Sequence, residues 1–390
     1  MKRNNSHNKF KISDFFGVKE LLISFFPILC AYNLGAFPLG LLIIVLLMFL
    51  CIIKPGKTDY HLYKPLIIFL AFYLIHDLVL SVFVTASGSY FINSIVEQVI
   101  YLASIVIISP KLNANKFKWC LYLVSLVSII GLTYQMNEIL SSGFAHPLEV
   151  PGLDMPIKRL ENLSARPSSY FMEPAAYVNF MFAPIALSLI EKKYVWSAII
   201  IISMFITTST TGIISAFILL TAYVLTQNIG WKKNIILLIF GSVLFYSLIN
   251  LSIFDAGVEK LDTVNTETNM RIRQGPSIVS TMEPFDFVLG VPYANPADYC
   301  RAGKAAGANY IFLGDSIYMS TFWLVIFRFG IVGLLFYLLI FYKLYRSSKV
   351  VRPYIVGLLA TIFTGSFFIG PLFVFPMIVM YNMSQEKYTE

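Results

Sequence analysis

In the stretch SARPSSYFMEPAAYVNF (residues 164–180) an arginine and a carboxylate, Arg166 and Glu173, stand seven residues apart, just before Pro174 and a new apolar run. Proline suits the first turn of a helix, where its missing N–H costs nothing. Glu173 is therefore expected at the mouth of that helix, near the positive end of its dipole. Two readings of the pair are open. In one, Glu173 caps the helix and Arg166 snorkels along the surface. In the other, the guanidinium holds a phosphate through paired hydrogen bonds, and the carboxylate works beside it. A second cationic group lies in NMRIRQGPS (269–277), where Arg271 and Arg273 are two residues apart. On an extended segment they point the same way; on a helix they diverge by roughly 200° and can still flank one diphosphate. A further acid, Asp315 in GDSIYMSTFW, reads as a helix N-cap. If that helix returns toward the arginines, Asp315 is also a candidate general base.

These residues suggest anion binding without metal. The chain has no DxD or HExxH motif, and its four histidines (His7, His61, His76, His146) are scattered. Glu283 and Asp286, three apart, read as turn chemistry. No metal and no cofactor is expected. The cysteines, at 30, 51, 120 and 300, form no CxxC pair and no evident disulfide framework.

The elements that must position these groups are read from apolar runs. With 57% hydrophobic and 13% charged residues, against roughly 25% charged in a soluble domain, the 390-residue chain is expected to be one integral membrane domain. Twelve spans of an all-α bundle are predicted: 16–33, 36–53, 65–84, 91–109, 119–140, 174–190, 194–208, 212–227, 234–253, 329–345, 353–369 and 371–382, the last also readable as a broken continuation of the eleventh. No small-residue cleavage site follows the basic start, so no cleaved signal is expected. With both termini cytoplasmic, 20 of the 29 Lys and Arg residues fall on the cytoplasmic side, as the positive-inside rule requires. The net charge of +8 is thereby explained without nucleic acid.

The other nine basic residues are Lys158, Arg159, Arg166, Lys260, Arg271, Arg273, Arg301, Lys304 and Arg328. Eight of them sit in two large extracytoplasmic loops, 141–173 and 254–316, which calls for an anionic ligand there. Both loops are rich in proline and are expected to fold into short helices at the membrane surface. A half-inserted helix over 316–328, a bend at Arg328 and Gly330, and then the tenth span are predicted next. His76, Asp77, Glu97 and Glu138 fall in or near spans three to five; they are read mainly as structural polar contacts, with a His76–Asp77–Glu97 network as one arrangement.

The chain resembles the Wzy-type O-antigen and capsular polysaccharide polymerases from about residue 160 to 340. The first loop closes on Arg166, Ser168, Ser169, Phe171, Glu173 and Pro174, which match the family's R-x-S-(S/G)-x-F-x-E-P stretch. A span pair joined by Ser209, Thr211 and Gly212 follows. After it come loop arginines, Phe287 and Gly290, then Asp315 ahead of Gly330, Ile331, Gly333 and Leu334. The resemblance implies a GT-C-like bundle in the bacterial inner membrane, acting at the periplasmic face. Its substrates would be oligosaccharide repeats on undecaprenyl diphosphate, and a flippase and a chain-length regulator would be pathway partners. Arg166 and Arg271 would bind diphosphate, with Arg273 as partner. Glu173 and Asp315 compete as general base, and Glu173 could instead orient Arg166. Lys158, Arg159, Arg301 and Lys304 would guide lipid or glycan. O-antigen ligases share this architecture but carry a histidine near the position of Asp315, and here no histidine follows His146. A ligase-type transferase and a lipid-linked oligosaccharide flippase are the alternatives; a flippase is expected to show repeats and charges lining a central cavity.

Overall fold

The structure is a computed structural model. It describes residues 15–35, 37–53, 60–83, 88–154, 166–207, 210–226, 230–249, 270–291, 295–312, 314, 316–363, 365–366 and 368–385. The described residues are helical apart from turns, connections and a hairpin of two two-residue strands, β1 (Asn33–Leu34) and β2 (Phe37–Pro38).

The apolar runs form helices close to where the sequence puts them. They are α1 (Val18–Leu29), α2 (Leu39–Ile53), α3 (Lys64–Phe83), α4 (Gly88–Ile108), α5 (Ala114–Ser142), α6 (Pro174–Ile190), α7 (Tyr194–Ile206), α8 (Thr210–Thr226) and α9 (Trp231–Ile249). Local chemistry sets several boundaries. The Asn113 side chain accepts the Lys116 N–H at the start of α5, and Gly143 ends that helix at φ 84°, a left-handed cap that glycine adopts without a Cβ penalty. The second loop contributes α10 (Met270–Val279), α11 (Pro284–Leu289) and α12 (Pro296–Arg301). The bundle closes with α13 (Thr321–Ser347), α14 (Arg352–Thr361) and α15 (Pro371–Gln385). The eleventh apolar run stops being α-helical at Thr361, and α15 is a separate helix rather than its continuation.

Contacts at the helix ends sort the connections into two groups. At one end, Lys19 Nζ donates to the Lys111 carbonyl (3.0 Å) and the Asn113 N–H to Glu20 Oε1 (2.7 Å). There too, the Tyr63 hydroxyl meets Ser109 (2.6 Å) and Gln385, and Asn382 donates to the Leu112 carbonyl (3.2 Å). At the opposite end, Asn33 and Asp154 exchange backbone hydrogen bonds of 2.8 and 3.1 Å, and Tyr32 donates to the Leu148 carbonyl (2.9 Å). Thr321 donates its N–H and hydroxyl to the Gly365 carbonyl there, at 2.8 and 2.9 Å. The described stretches around Lys19, Tyr63, Lys111 and Gln385, all from segments expected to be cytoplasmic, thus gather at one end, and the described parts of the two long loops join the other.

Large apolar side chains remain on the outside: Phe49 on α2, Ile75 on α3, Ile130 on α5 and Ile236 on α9 are each 60% or more exposed. Single exposed apolar residues are ordinary, but a belt shared by many helices needs a covering. Two described helices, α5 and α13, are long and apolar enough to cross a membrane by length and composition.

A break in α13 positions the second loop. The helix begins at Thr321 with Ser320 in the N-cap position, not at Ser316. Asp315 is therefore not its cap, because five residues separate it from the first helical turn. At Gly330 the backbone leaves helical geometry (φ 64°, ψ −167°), a region essentially restricted to glycine. The C-cap of α11 presses into this break. A Cβ on Gly290 would lie 2.2 Å from the Arg328 carbonyl oxygen, and one on Gly330 would lie 2.1 Å from that of Val288. The Val291 N–H then donates to the Phe327 carbonyl (2.9 Å). Two glycines thus let backbone meet backbone.

Gly330→Ala is expected to destabilise the protein by more than the ~1–3 kcal/mol of the strained backbone alone, because the clash with Val288 adds to it. Gly241→Ala, in α9 where an added Cβ meets nothing within 4 Å, is expected to be neutral or stabilising by ~0.5–1 kcal/mol. Thermal unfolding of the two variants in detergent measures the difference.

Candidate active site

The RPSSYFMEP segment is fixed by buried groups at its centre, with its two charged residues at its ends. Gln135, 3% exposed on α5, accepts the N–H groups of Ser168 (2.9 Å) and Ser169 (2.7 Å) through one amide oxygen. Its amide nitrogen donates to the His146 carbonyl (2.8 Å). Ser169 sits at φ 55° against Gly131, where a Cβ would come 2.6 Å from its hydroxyl and 2.8 Å from the Tyr170 ring. Phe171 is fully buried, with ring centroids 5.6 Å from Tyr177 and 5.4 Å from Phe180. The serine pair and the phenylalanine are thus the anchor of the motif.

Arg166 is half-buried just before this anchor, and Glu173 is exposed just after it. Glu173 occupies the N-cap position of α6, yet its side chain makes no capping bond. The capping reading fails there, and the carboxylate stands exposed at a helix N-terminus. The nearby Glu138 bonds His146 through both its backbone N–H (3.1 Å) and its ring Nδ1.

Arg271 and Arg273 both lie on α10, so their segment is helical rather than extended. Arg273 is exposed; the Arg271 side chain lies outside the described ones. Between them and α13, Gly275 approaches Trp323, whose ring a Cβ would meet at 2.7 Å. Gln274, next to Arg273, is 1% exposed and neither atom of its amide has a partner. Such a group costs about 1–3 kcal/mol, and no motif or spacing singles it out. Arg301 pairs with Asp298 at 3.2 Å and lies over the Phe312 ring at 5.4 Å. Lys304 is exposed, within electrostatic reach of Asp286. Burial and then Glu283 push the Asp286 carboxyl above its ordinary range, while Lys304 pulls it down. Arg301 and Lys304 are thus partly balanced by acids of their own loop. Lys158, Arg159, Lys260, Ser209 and Asp315 lie outside the described residues. No described group of three or more His, Cys, Asp or Glu residues could hold a metal ion.

Arg328 proves to be the centre of a buried cluster. It is 4% exposed and donates to Asp77 Oδ2 (2.9 Å), Gln98 Oε1 (2.8 Å) and the Tyr73 hydroxyl (3.1 Å). The neighbouring His76 places Nδ1 3.3 Å from Asp77 and donates from Nε2 to the Leu289 carbonyl (2.6 Å). The cluster therefore links α3, α4 and the last turn before the Gly330 break to the end of α11. The expected His76–Asp77–Glu97 network is corrected: Glu97 is exposed, and the members from α4 and α13 are Gln98 and Arg328. Arg328 was visible as a leftover basic residue beside the predicted bend, but its partners lie about 250 residues away in sequence, beyond any local pattern.

The chain matches no family model, no curated protein and no solved structure. Its site is defined by these residues alone.

Removing one member of the Arg328–Asp77 pair strands a buried charge. Asp77→Leu or Arg328→Met is expected to cost about 3–5 kcal/mol, while the double variant recovers much of that loss. A double-mutant cycle of thermal stability in detergent is the check.

Proposed function

We propose that the chain is a polysaccharide polymerase of the Wzy type: an approximately twelve-span bacterial inner-membrane protein whose active site opens on the periplasmic face. The observation that carries this reading is the pairing of charge with anchorage. Two segments bearing arginines, Arg166 and Arg273, join the bundle end opposite the one gathering Lys19, Lys111 and Lys118. Buried Gln135 holds the first segment and leaves Glu173 exposed, while the second packs Gly275 against Trp323 and leaves Arg273 exposed. Loose cationic loops would need no such anchors. The exposed apolar belt supports bilayer residence, since lipid is the covering that suits it.

In this reading the donor is a glycan chain joined through its anomeric carbon to undecaprenyl diphosphate, and the acceptor is the non-reducing end of an incoming lipid-linked repeat. The acceptor hydroxyl attacks the anomeric carbon. The new C–O glycosidic bond forms as the bond from anomeric carbon to phosphate oxygen breaks, and its electron pair leaves with the diphosphate. Arg166 and Arg271, with Arg273, stabilise the charge on that leaving group. Glu173, with its carboxylate free of capping duty, takes the acceptor's proton; Asp315 is the other candidate for that role. Gln274 offers an unused amide beside Arg273, suited to a sugar hydroxyl. Lys158, Arg159, Arg301 and Lys304 guide the anionic lipid, the last two more weakly than their charge suggests because Asp298 and Asp286 offset them.

The test is the surface glycan of a deletion strain complemented with Arg166→Ala or Arg271→Ala. The expected result is collapse of the ladder to a single capped repeat at normal protein level. Loss of every capped species would point instead to export or ligation, and an unchanged ladder would remove both arginines from the site.

A further inference from the structure

At the bundle end opposite Arg166, α5 and α7 border an open groove of about 340 Å³ lined by Phe16, Trp119, Tyr122, Leu123, Leu126, Trp196 and Lys193. That volume lies in the range of small-ligand sites. Trp119, Tyr122, Leu123 and Leu126 follow one another at helical spacing, so a single face of α5 forms the wall. It runs from aromatic at the helix start to aliphatic deeper in. The rim is cationic. Lys193 Nζ lies 5.1 Å from the Trp119 ring centroid and 4.7 Å from that of Tyr122. Glu191 bridges Lys193 and Lys118, at 2.7 Å each, and accepts from the Tyr122 hydroxyl (3.0 Å). Burial pushes the Glu191 carboxyl up, but its bonds to Lys118 and Lys193 more than offset this and hold it below its ordinary range. Two ammonium groups thus face one carboxylate, and the exposed Lys192 is next in the chain. The indole Nε1–H of Trp196 is buried and donates to nothing.

We propose that this groove binds an anionic phospholipid from the leaflet on that side of the bundle. The aliphatic wall takes an acyl chain, and Lys193 and Lys118 hold the phosphate. Charge complementarity selects the occupant. A zwitterionic lipid would bring its own cation to an already cationic rim, and a second copy of this chain would bring the same positive charge. The inference rests on the bilayer residence proposed above and not on the transfer chemistry.

The experiment uses the full chain with Trp231→Phe and Trp323→Phe, so that emission comes from Trp119 and Trp196 alone. It is reconstituted in phosphatidylcholine vesicles containing rising fractions of acyl-brominated phosphatidylglycerol or acyl-brominated phosphatidylcholine. Phosphatidylglycerol is expected to reach half-maximal quenching at a several-fold lower fraction, and Lys118→Gln with Lys193→Gln is expected to abolish that preference. Lys193→Gln alone, at a side chain 42% exposed, gives a partial loss and guards against misfolding of the double variant. Equal quenching by the two lipids means ordinary boundary lipid and overturns the site while leaving bilayer residence intact. A phosphatidylglycerol preference that survives both lysine changes also overturns it. No quenching by either lipid removes the bilayer residence as well.

Discussion

The backbone contact between Gly290 and Gly330 is the constraint on which the second loop depends. A helix broken at one residue, and another pressed into the break, place peptide groups where neither water nor regular secondary structure satisfies them all. The structure answers with the Phe327 carbonyl for the Val291 N–H and with His76 for the Leu289 carbonyl. Beside the break, the Arg328 guanidinium finds three acceptors on α3 and α4. A buried charge so engaged adds little net stability compared with a well-packed apolar core. What it fixes here is the position of α13 against α3 and α4, while the Leu289 carbonyl and the Val291 N–H tie α11 to the same place.

The two loops share a design. A buried side chain reaches from a long helix to backbone groups of the loop: Gln135 to Ser168 and Ser169, and His76 to Leu289. Glycine then permits close approach, Gly131 in the first loop and Gly290 with Gly330 in the second. Apolar anchors finish the job, with Phe171 buried among aromatic rings and Gly275 set against Trp323. Arg166, Glu173 and Arg273 stand at the margins of these anchors rather than within them.

Most of the helix positions were legible in the sequence because long apolar runs have few other folds open to them, and because Pro174, Pro284 and Pro296 mark helix starts by their own chemistry. The break at Gly330 was legible too, since Arg328 and Gly330 interrupt an apolar run. The helix start before it was not: Asp315 and Ser320 are equally good caps by type, and Thr321 is fixed by the Gly365 carbonyl of a distant turn. The same limit applies to the buried cluster. Glu97 is the more conspicuous neighbour in sequence, yet one step along α4 rotates the helix by about 100°, and it is Gln98 that faces Arg328. The compensation of Lys304 by Asp286 likewise depends on how α11 folds beside the following loop.

The most direct measurement is turnover by the purified full chain in proteoliposomes supplied with an undecaprenyl-diphosphate-linked repeat unit, with EDTA present. The account predicts one undecaprenyl diphosphate released for each glycosidic bond formed, at a rate unaffected by the chelator and abolished by Arg166→Ala. Release that requires a divalent cation, or that proceeds undiminished in Arg166→Ala, would contradict it.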